Sequence, residues 1–138
     1  FIASICRCWQ AALSIAIDRS AGREALKQIV TKGKAKLEQG FWVLVFPEGT
    51  RVAPGEKGRY GIGGAWLAAE TGAPIVPVAH NAGEVWPKNA FVKHPGTVTV
   101  RIGPTIETRG KSAAELTRAV EAWIETEMAR LPPAAARQ

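Results

Sequence analysis

The chain has 138 residues, enough for one domain with its own core and too few for two. Apolar residues make up 46% and charged residues 22%, a balance that excludes disordered and fibrous classes. With 18 Lys and Arg against 12 Asp and Glu, the net charge of +6 suits nucleic acid, phospholipid or a phosphorylated small molecule, and equally a basic solvated surface.

In chain order, 1-FIASICRCWQAALSIAI-17 is apolar but interrupted by Arg7 and Gln10, and reads as a helix lying on a membrane surface or packed on a core. Cys6 and Cys8, separated only by Arg7, are too close for an unstrained bridge and lack the companions of a metal site. Free thiols in a reducing compartment are expected. No apolar run approaches the roughly 20 residues that span a bilayer. The chain opens at Phe1 without a Met, and the expectation is the C-terminal part of a longer polypeptide.

Residues 14–18 read as a short strand ending in 18-DRS-20. A helix is expected from Ala21 to Gln39, where Ala25, Ile29, Val30, Ala35 and Leu37 recur at near-helical spacing, with Ser20 as cap and Gly40 as stop. The continuous apolar run 41-FWVLVF-46 predicts a strand covered on both faces. A glycine-rich, charged loop covers 52–64, and a second helix runs from about Gly64 to Thr71, closed by Gly72. Residues 74–81 predict another buried strand, broken near its end by Pro77, and 97-TVTVRIG-103 alternates as a third. The last helix, 112–131, carries a capping box, Ser112 with Glu115, and an apolar face of Leu116, Val120, Trp123, Ile124 and Met128. A frayed tail, 132–138, closes one domain spanning 1–138. The order predicts an α/β fold, a largely parallel or mixed sheet flanked by helices.

In such folds ligands gather at the carboxyl ends of strands, where 18-DRS-20 and 47-PEGTR-51 both fall. Arg51 offers five donors in a planar fork that suits a phosphate, Gly49 permits close backbone approach, and Thr50 adds a hydroxyl. Glu48 can orient an arginine or accept from a substrate hydroxyl. Together these describe a pocket for a phosphate with adjacent hydroxyls. The competing reading is a tight turn with a surface ion pair between Glu48 and Arg51, contributing roughly 0–1 kcal/mol. Of the tryptophans, Trp42, Trp66 and Trp123 are expected in the core, while Trp86, with Lys88 nearby, suits a membrane interface.

The string 46-FPEGTR-51, with 17-IDR-19 before it and 74-PIVPVAHNAG-83 after it, resembles the glycerolipid acyltransferases, specifically the 1-acylglycerol-3-phosphate acyltransferases of bacterial type. The three blocks occur in the family's order and cover residues 15–83, and 101-RIGPTI-106 with the last helix resembles its closing strand and helix. The resemblance implies transfer of a fatty acyl group from a thioester of coenzyme A or acyl carrier protein to the 2-hydroxyl of lysophosphatidate, giving phosphatidic acid. It implies substrate-binding roles for Asp18, Arg19, Glu48, Gly49, Thr50 and Arg51 on the acceptor side, and for Pro77 on the acyl-donor side. Lys57 or Arg59 takes the place of a Lys that the family carries near the position of Gly61.

The resemblance implies no metal and no tightly held cofactor, an anionic membrane as partner, no nucleic acid, and action at the cytoplasmic face of the inner membrane, peripheral or anchored through upstream sequence. The family's general base is the His of a His-x4-Asp motif. Neither His80 nor His94 is followed by an Asp at that spacing, Val85 and Thr99 standing there instead, so no catalytic residue is expected in this chain. The base is expected upstream of Phe1. The alternatives are an acyltransferase for another lysolipid acceptor, or a non-catalytic lipid-phosphate binding module. Scattered basic residues without aromatic interleaving argue against nucleic acid.

Overall fold

The computed structural model describes Ile15 and residues 22–134. The expected strand at 14–18, the Ser20 cap, Cys6, Cys8 and the tail end at 135–138 lie outside the described residues. Helices α1 (Arg23–Glu38), α2 (Gly63–Thr71), α3 (Ala82–Val85) and α4 (Ala113–Met128) alternate with strands β1 (Val78–His80) and β2 (Val100–Ile102). The chain divides into two compact units, one ending at Leu44 and the other starting at Val45.

In the first unit, α1 buries Ala25 and Gly33, and its N-terminus carries Gly22 at the capping position without a side-chain cap. Two ion pairs within the helix, Glu24–Lys27 at 3.2 Å and Lys34–Glu38 at 3.9 Å, are solvent-exposed and contribute little. The Phe41 amide donates to the Lys36 carbonyl at 3.0 Å, and the Lys36 ammonium lies 5.3 Å from the Phe41 ring.

The run 41–46, expected as a doubly covered strand, is extended chain without a ladder. A strand needs a neighbour to take its N–H and C=O groups, and among the described residues none lies beside it. Its side chains are correspondingly open: Trp42 is 88% and Phe46 68% exposed, so Trp42 is not a core residue.

The second unit is built on α4. Its start is the expected capping box: the Glu115 amide donates to the Ser112 hydroxyl at 3.3 Å and the Ser112 amide to the Glu115 carboxylate at 2.8 Å. Of the predicted apolar face, Leu116 is fully buried and Met128 exposed, with Val120, Trp123 and Ile124 between. Helix α2, buried through Ala65, Leu67 and Ala68, packs on α4 and ends at Gly72 as the sequence indicates. Trp66 is half-buried, its indole N–H donating to Glu70 at 3.1 Å.

Strands β1 and β2 pair antiparallel, Val78 opposite Ile102 and His80 opposite Val100. The pairing of the described residues is thus antiparallel, within the α/β class. One face of this ribbon meets α4, where Ala79 is buried and Arg101 pairs with Glu127 at 2.7 Å. The other face leaves Val78, Val100 and Ile102 exposed, unlike the buried strand expected at 74–81.

Beyond Val78 the ladder shifts. An isolated bridge joins Ile75 to Ile106, so two residues, 76 and 77, face three, 103–105, which is a bulge. Pro77 has no N–H for a ladder, but its carbonyl accepts from the Gly103 amide at 2.9 Å. A tie beyond α4 holds part of the expected frayed tail: buried Asn81 donates to the Pro132 carbonyl at 2.8 Å, and the Ala134 amide donates to Glu84 at 2.7 Å.

Gly103 is a tight point where the bulge meets α4. A Cβ there would lie 2.5 Å from the Trp123 ring and 2.9 Å from the Pro77 ring. Gly103→Ala should therefore destabilise the protein by about 1–3 kcal/mol through overpacking, measured by urea unfolding. An unchanged midpoint would mean that Trp123 does not seat on this bulge.

Candidate functional site

The six residues from Phe46 form a tight reversal rather than the mouth of a strand. The Gly49 amide donates to the Phe46 carbonyl at 3.0 Å, and Gly49 holds a φ of +65°, a left-handed conformation that glycine adopts without steric cost. The Pro47 carbonyl accepts from the Gly61 amide at 2.7 Å, so the two ends of the 48–60 segment are drawn together. The amide of Gly49 is engaged inside the turn.

Glu48 and Arg51 do not pair with each other; they separate. Glu48 is half-buried and accepts from the Gly58 backbone. The approach is close enough that a Cβ on Gly58 would meet Val52 at 2.7 Å and the Glu48 carboxylate at 3.1 Å. Burial raises the Glu48 pKa above the ordinary carboxylate value and the nearby charge of Glu125 raises it further, while the Gly58 amide and His80 act in the opposite sense. Thr50 and Arg51 are exposed. The Arg51 guanidinium lies 5.4 Å from the centre of the Trp86 ring, against which it stacks.

Two contacts fasten the rest of the loop to α4. The Tyr60 hydroxyl donates to Glu125 at 2.9 Å, and the Lys57 ammonium pairs with Glu121 at 2.8 Å. Glu121 and Glu125 are one turn apart and so share a helix face. Burial raises the Tyr60 pKa, and the hydrogen bond it donates to Glu125 raises it further, so the phenol keeps its proton and remains a donor. Lys57, expected to contact substrate, is instead held by Glu121, whose hydrogen bond and charge raise its pKa.

Pro77 is buried beneath Gly103 and Trp123, a packing position. His80 is exposed on β1, and its Nδ1 accepts from the Ala82 amide at 3.3 Å, which leaves the neutral ring's proton on Nε2. His94 is also exposed, its backbone amide donating to the Val85 carbonyl at 2.8 Å. Asp18 and Arg19 lie outside the described residues. Among those described, no group of three or more His, Cys, Asp or Glu side chains is placed to hold a metal ion.

The structure therefore brings Glu48 and Lys57 together with Tyr60, Glu121, Glu125 and His80, and sets Arg51 apart against Trp86. Tyr60, Glu121 and Glu125 were not singled out by the motif. The available signal was the i, i+4 pair of glutamates on α4 together with the basic loop 57–59. Chemically, the outward part of the turn can bind an anion, and the inward part fixes the turn's shape.

The raised Glu48 pKa carries a pH dependence. Above the unfolded value the folded state holds this carboxylate ionised at a cost, which is absent while the group is protonated and grows as pH rises through the folded value. Glu48→Gln should flatten that part of the melting-temperature profile just above the ordinary carboxylate value. Superimposable wild-type and variant profiles would mean that Glu48 is not turned inward.

The family model described as Acyltransferase matches residues 4–81. The chain is similar to the 1-acyl-sn-glycerol-3-phosphate acyltransferase of Pseudomonas aeruginosa, 46% identical over 130 residues, which cover 91% of this chain and 51% of that protein. It is 30% identical over 107 residues to the human 1-acyl-sn-glycerol-3-phosphate acyltransferase beta, covering 76% of this chain and 38% of that one. Among solved structures it resembles the 1-acyl-sn-glycerophosphate acyltransferase PlsC of Thermotoga maritima, with a TM-score of 0.65 and 29% identity over 77% of this chain and 43% of that one. The chain thus spans about half the length, or less, of these relatives. With an α/β fold like that of a solved relative and a family match that contains the whole Phe46–Arg51 turn, the chain belongs to the Acyltransferase family.

Proposed function

We propose that the protein takes part in acyl transfer from an acyl thioester to the 2-hydroxyl of a 1-acylglycerol-3-phosphate, making phosphatidic acid for phospholipid biosynthesis. The observation that carries the reading is the division of the 47–51 turn, in which Glu48 is turned inward and Arg51 is exposed with its guanidinium over Trp86. A planar cation held on an aromatic face is oriented before ligand arrives, which limits the entropy lost when it binds a phosphate. The names of the relatives, all 1-acylglycerol-3-phosphate acyltransferases, support the same acceptor.

In the reaction the acceptor hydroxyl oxygen bonds to the thioester carbonyl carbon, the carbon–sulfur bond breaks, and the hydroxyl proton passes to a general base and then to the departing thiolate. A thiolate leaves readily near neutral pH, so the demand is for the base and for placement. The residues of this chain supply placement. Arg51 and Thr50 hold the phosphate, Glu48 and Gly49 set the turn that presents them, and the contacts of Lys57 and Tyr60 to α4 keep that turn in place. Arg19, with Asp18 beside it, belongs to the same acceptor site in this reading. The base comes from a His-x4-Asp motif, and the donor is a thioester of coenzyme A or acyl carrier protein. No tightly bound cofactor takes part. The acceptor is a lipid, so the reaction in this reading runs at a membrane surface, which we take to be the cytoplasmic face of the inner membrane.

The test is an acyl-transfer assay on the complete translated reading frame that carries these 138 residues. Arg51→Ala should raise KM for lysophosphatidate by about 10- to 100-fold, corresponding to roughly 1.4–2.8 kcal/mol of charge-assisted hydrogen bonding, with a smaller change in kcat. Arg51→Lys should recover part of the loss, since it keeps the charge but not the fork. The same rise in KM for 1-monoacylglycerol, which has no phosphate, would overturn the role assigned to Arg51.

A further inference from the structure

The segment after α3 is closed at its base and open at its tip. At the base, the His94 amide donates to the Val85 carbonyl at 2.8 Å. Inside it, the Trp86 indole N–H donates to the Ala90 carbonyl at 2.9 Å, the Ala90 amide to the Pro87 carbonyl at 3.2 Å, and Asn89 turns the chain with a φ of 61°. The loop therefore has internal bonds that shape it, yet its apolar side chains remain largely exposed. Phe91 is 100% exposed, Val92 64% and Trp86 46%. Leaving a phenylalanine wholly in water forgoes about 2 kcal/mol of burial.

The charges around this tip are of one sign. Lys88 and Lys93 are exposed on either side of Phe91, the Lys93 ammonium lies 4.5 Å from the Trp86 ring, and Arg51 stacks on the same ring at 5.4 Å. The neighbouring acid, Glu84, accepts from the Ala134 amide. An apolar tip, an amphipathic indole and a cationic collar are the elements that seat a surface loop in the boundary between lipid headgroups and acyl chains. Each Lys or Arg near an anionic bilayer adds about 1 kcal/mol of attraction.

We propose that the 86–94 loop docks the protein on an anionic phospholipid bilayer, with Phe91 and Val92 entering the acyl boundary and Lys88 and Lys93 meeting lipid phosphates. Because Arg51 shares the Trp86 ring with Lys93, docking sets the acceptor-binding turn at headgroup depth, where a lysophospholipid phosphate lies. That last clause rests on the function proposed above; the docking itself does not.

The experiment is co-sedimentation of the 138-residue chain with vesicles of phosphatidylglycerol and phosphatidylethanolamine, and with vesicles of phosphatidylcholine alone. Wild type should bind the anionic vesicles, with binding weakened by salt, and Phe91→Asp should lower the affinity by about 30-fold. Lys88→Glu with Lys93→Glu should lower it by about 10-fold or more. Since Phe91 makes no contact to lose, the melting temperature of Phe91→Asp should match wild type, which separates docking from folding. Failure of wild type to bind, indifference to lipid charge, or unchanged binding by Phe91→Asp would each overturn the proposal. So would loss of self-association in Phe91→Asp with vesicle binding intact, which would make the tip an interface between copies. Assays of the complete reading frame separate this proposal from the catalytic one: Phe91→Asp should spare transfer to a short-chain lysophosphatidate dissolved as monomers and impair transfer to vesicle-embedded acceptor. Loss of both would place the loop in the active site and overturn docking, whereas transfer indifferent to the acceptor phosphate in both formats would sink the functional reading and leave the vesicle result standing.

Discussion

The Tyr60 hydroxyl meets the Glu125 carboxylate 2.9 Å away, across 65 residues of sequence, and this bond holds the segment that follows the 47–51 turn on the body of the second unit. Backbone bonds at its ends and Glu48 reaching Gly58 also close the 48–60 segment. Lys57 to Glu121, one helical turn away, is an exposed pair of small energetic weight that adds direction to the same tether. Helix α4 is able to serve as the anchor because its own position is fixed twice. Leu116 is fully buried near its start, and Trp123 is wedged at Gly103 against the bulge of the ribbon.

From that anchor follows the separation of two carboxylate and guanidinium groups that sequence places three residues apart. Glu48 faces an environment with two further glutamates, Tyr60 and His80, and is pushed toward its protonated form. Arg51, beyond the left-handed Gly49, points to the opposite surroundings, an aromatic ring shared with Lys93. One turn thus shows the interior its acid and the exterior its base. On that outer side the exposed cations Arg51, Lys88 and Lys93 lie near the exposed apolar tip at Phe91.

Features governed by nearby residues were legible in the sequence. The Ser112–Glu115 box, the stop at Gly72 and the end of α1 just before Gly40 follow from capping and periodicity within a few residues, and the structure has them, whereas α1 starts at Arg23 after an uncapped Gly22. The break of the chain into a turn after Phe46 was legible in Pro47 and Gly49, and the structure has the reversal. What was not legible depended on distant partners. Whether 41-FWVLVF-46 forms a ladder is decided by a neighbouring strand, and none is present among the described residues. Lys57 was expected on the substrate side, and the sequence does not show that Glu121 stands 2.8 Å from it. Pro77 looked like part of a substrate wall, but it is the partner of Gly103 in a bulge whose extra residue lies on the other strand. Burial of Ala79 with exposure of Val78 likewise reflects which ribbon face meets α4, a choice that alternation alone leaves open.

The claim on which the rest depends is that the exposed side of the 47–51 turn is a phosphate site. Isothermal titration of the 138-residue chain with lysophosphatidate and with the matching 1-monoacylglycerol, both below their micellar concentrations, isolates the phosphate from the acyl chain. Binding of the phosphorylated lipid at least about 10-fold tighter, with the difference shrinking as salt is added, is the expected result. Equal affinities for the two lipids would contradict the site, and with it the division of labour between Glu48 and Arg51.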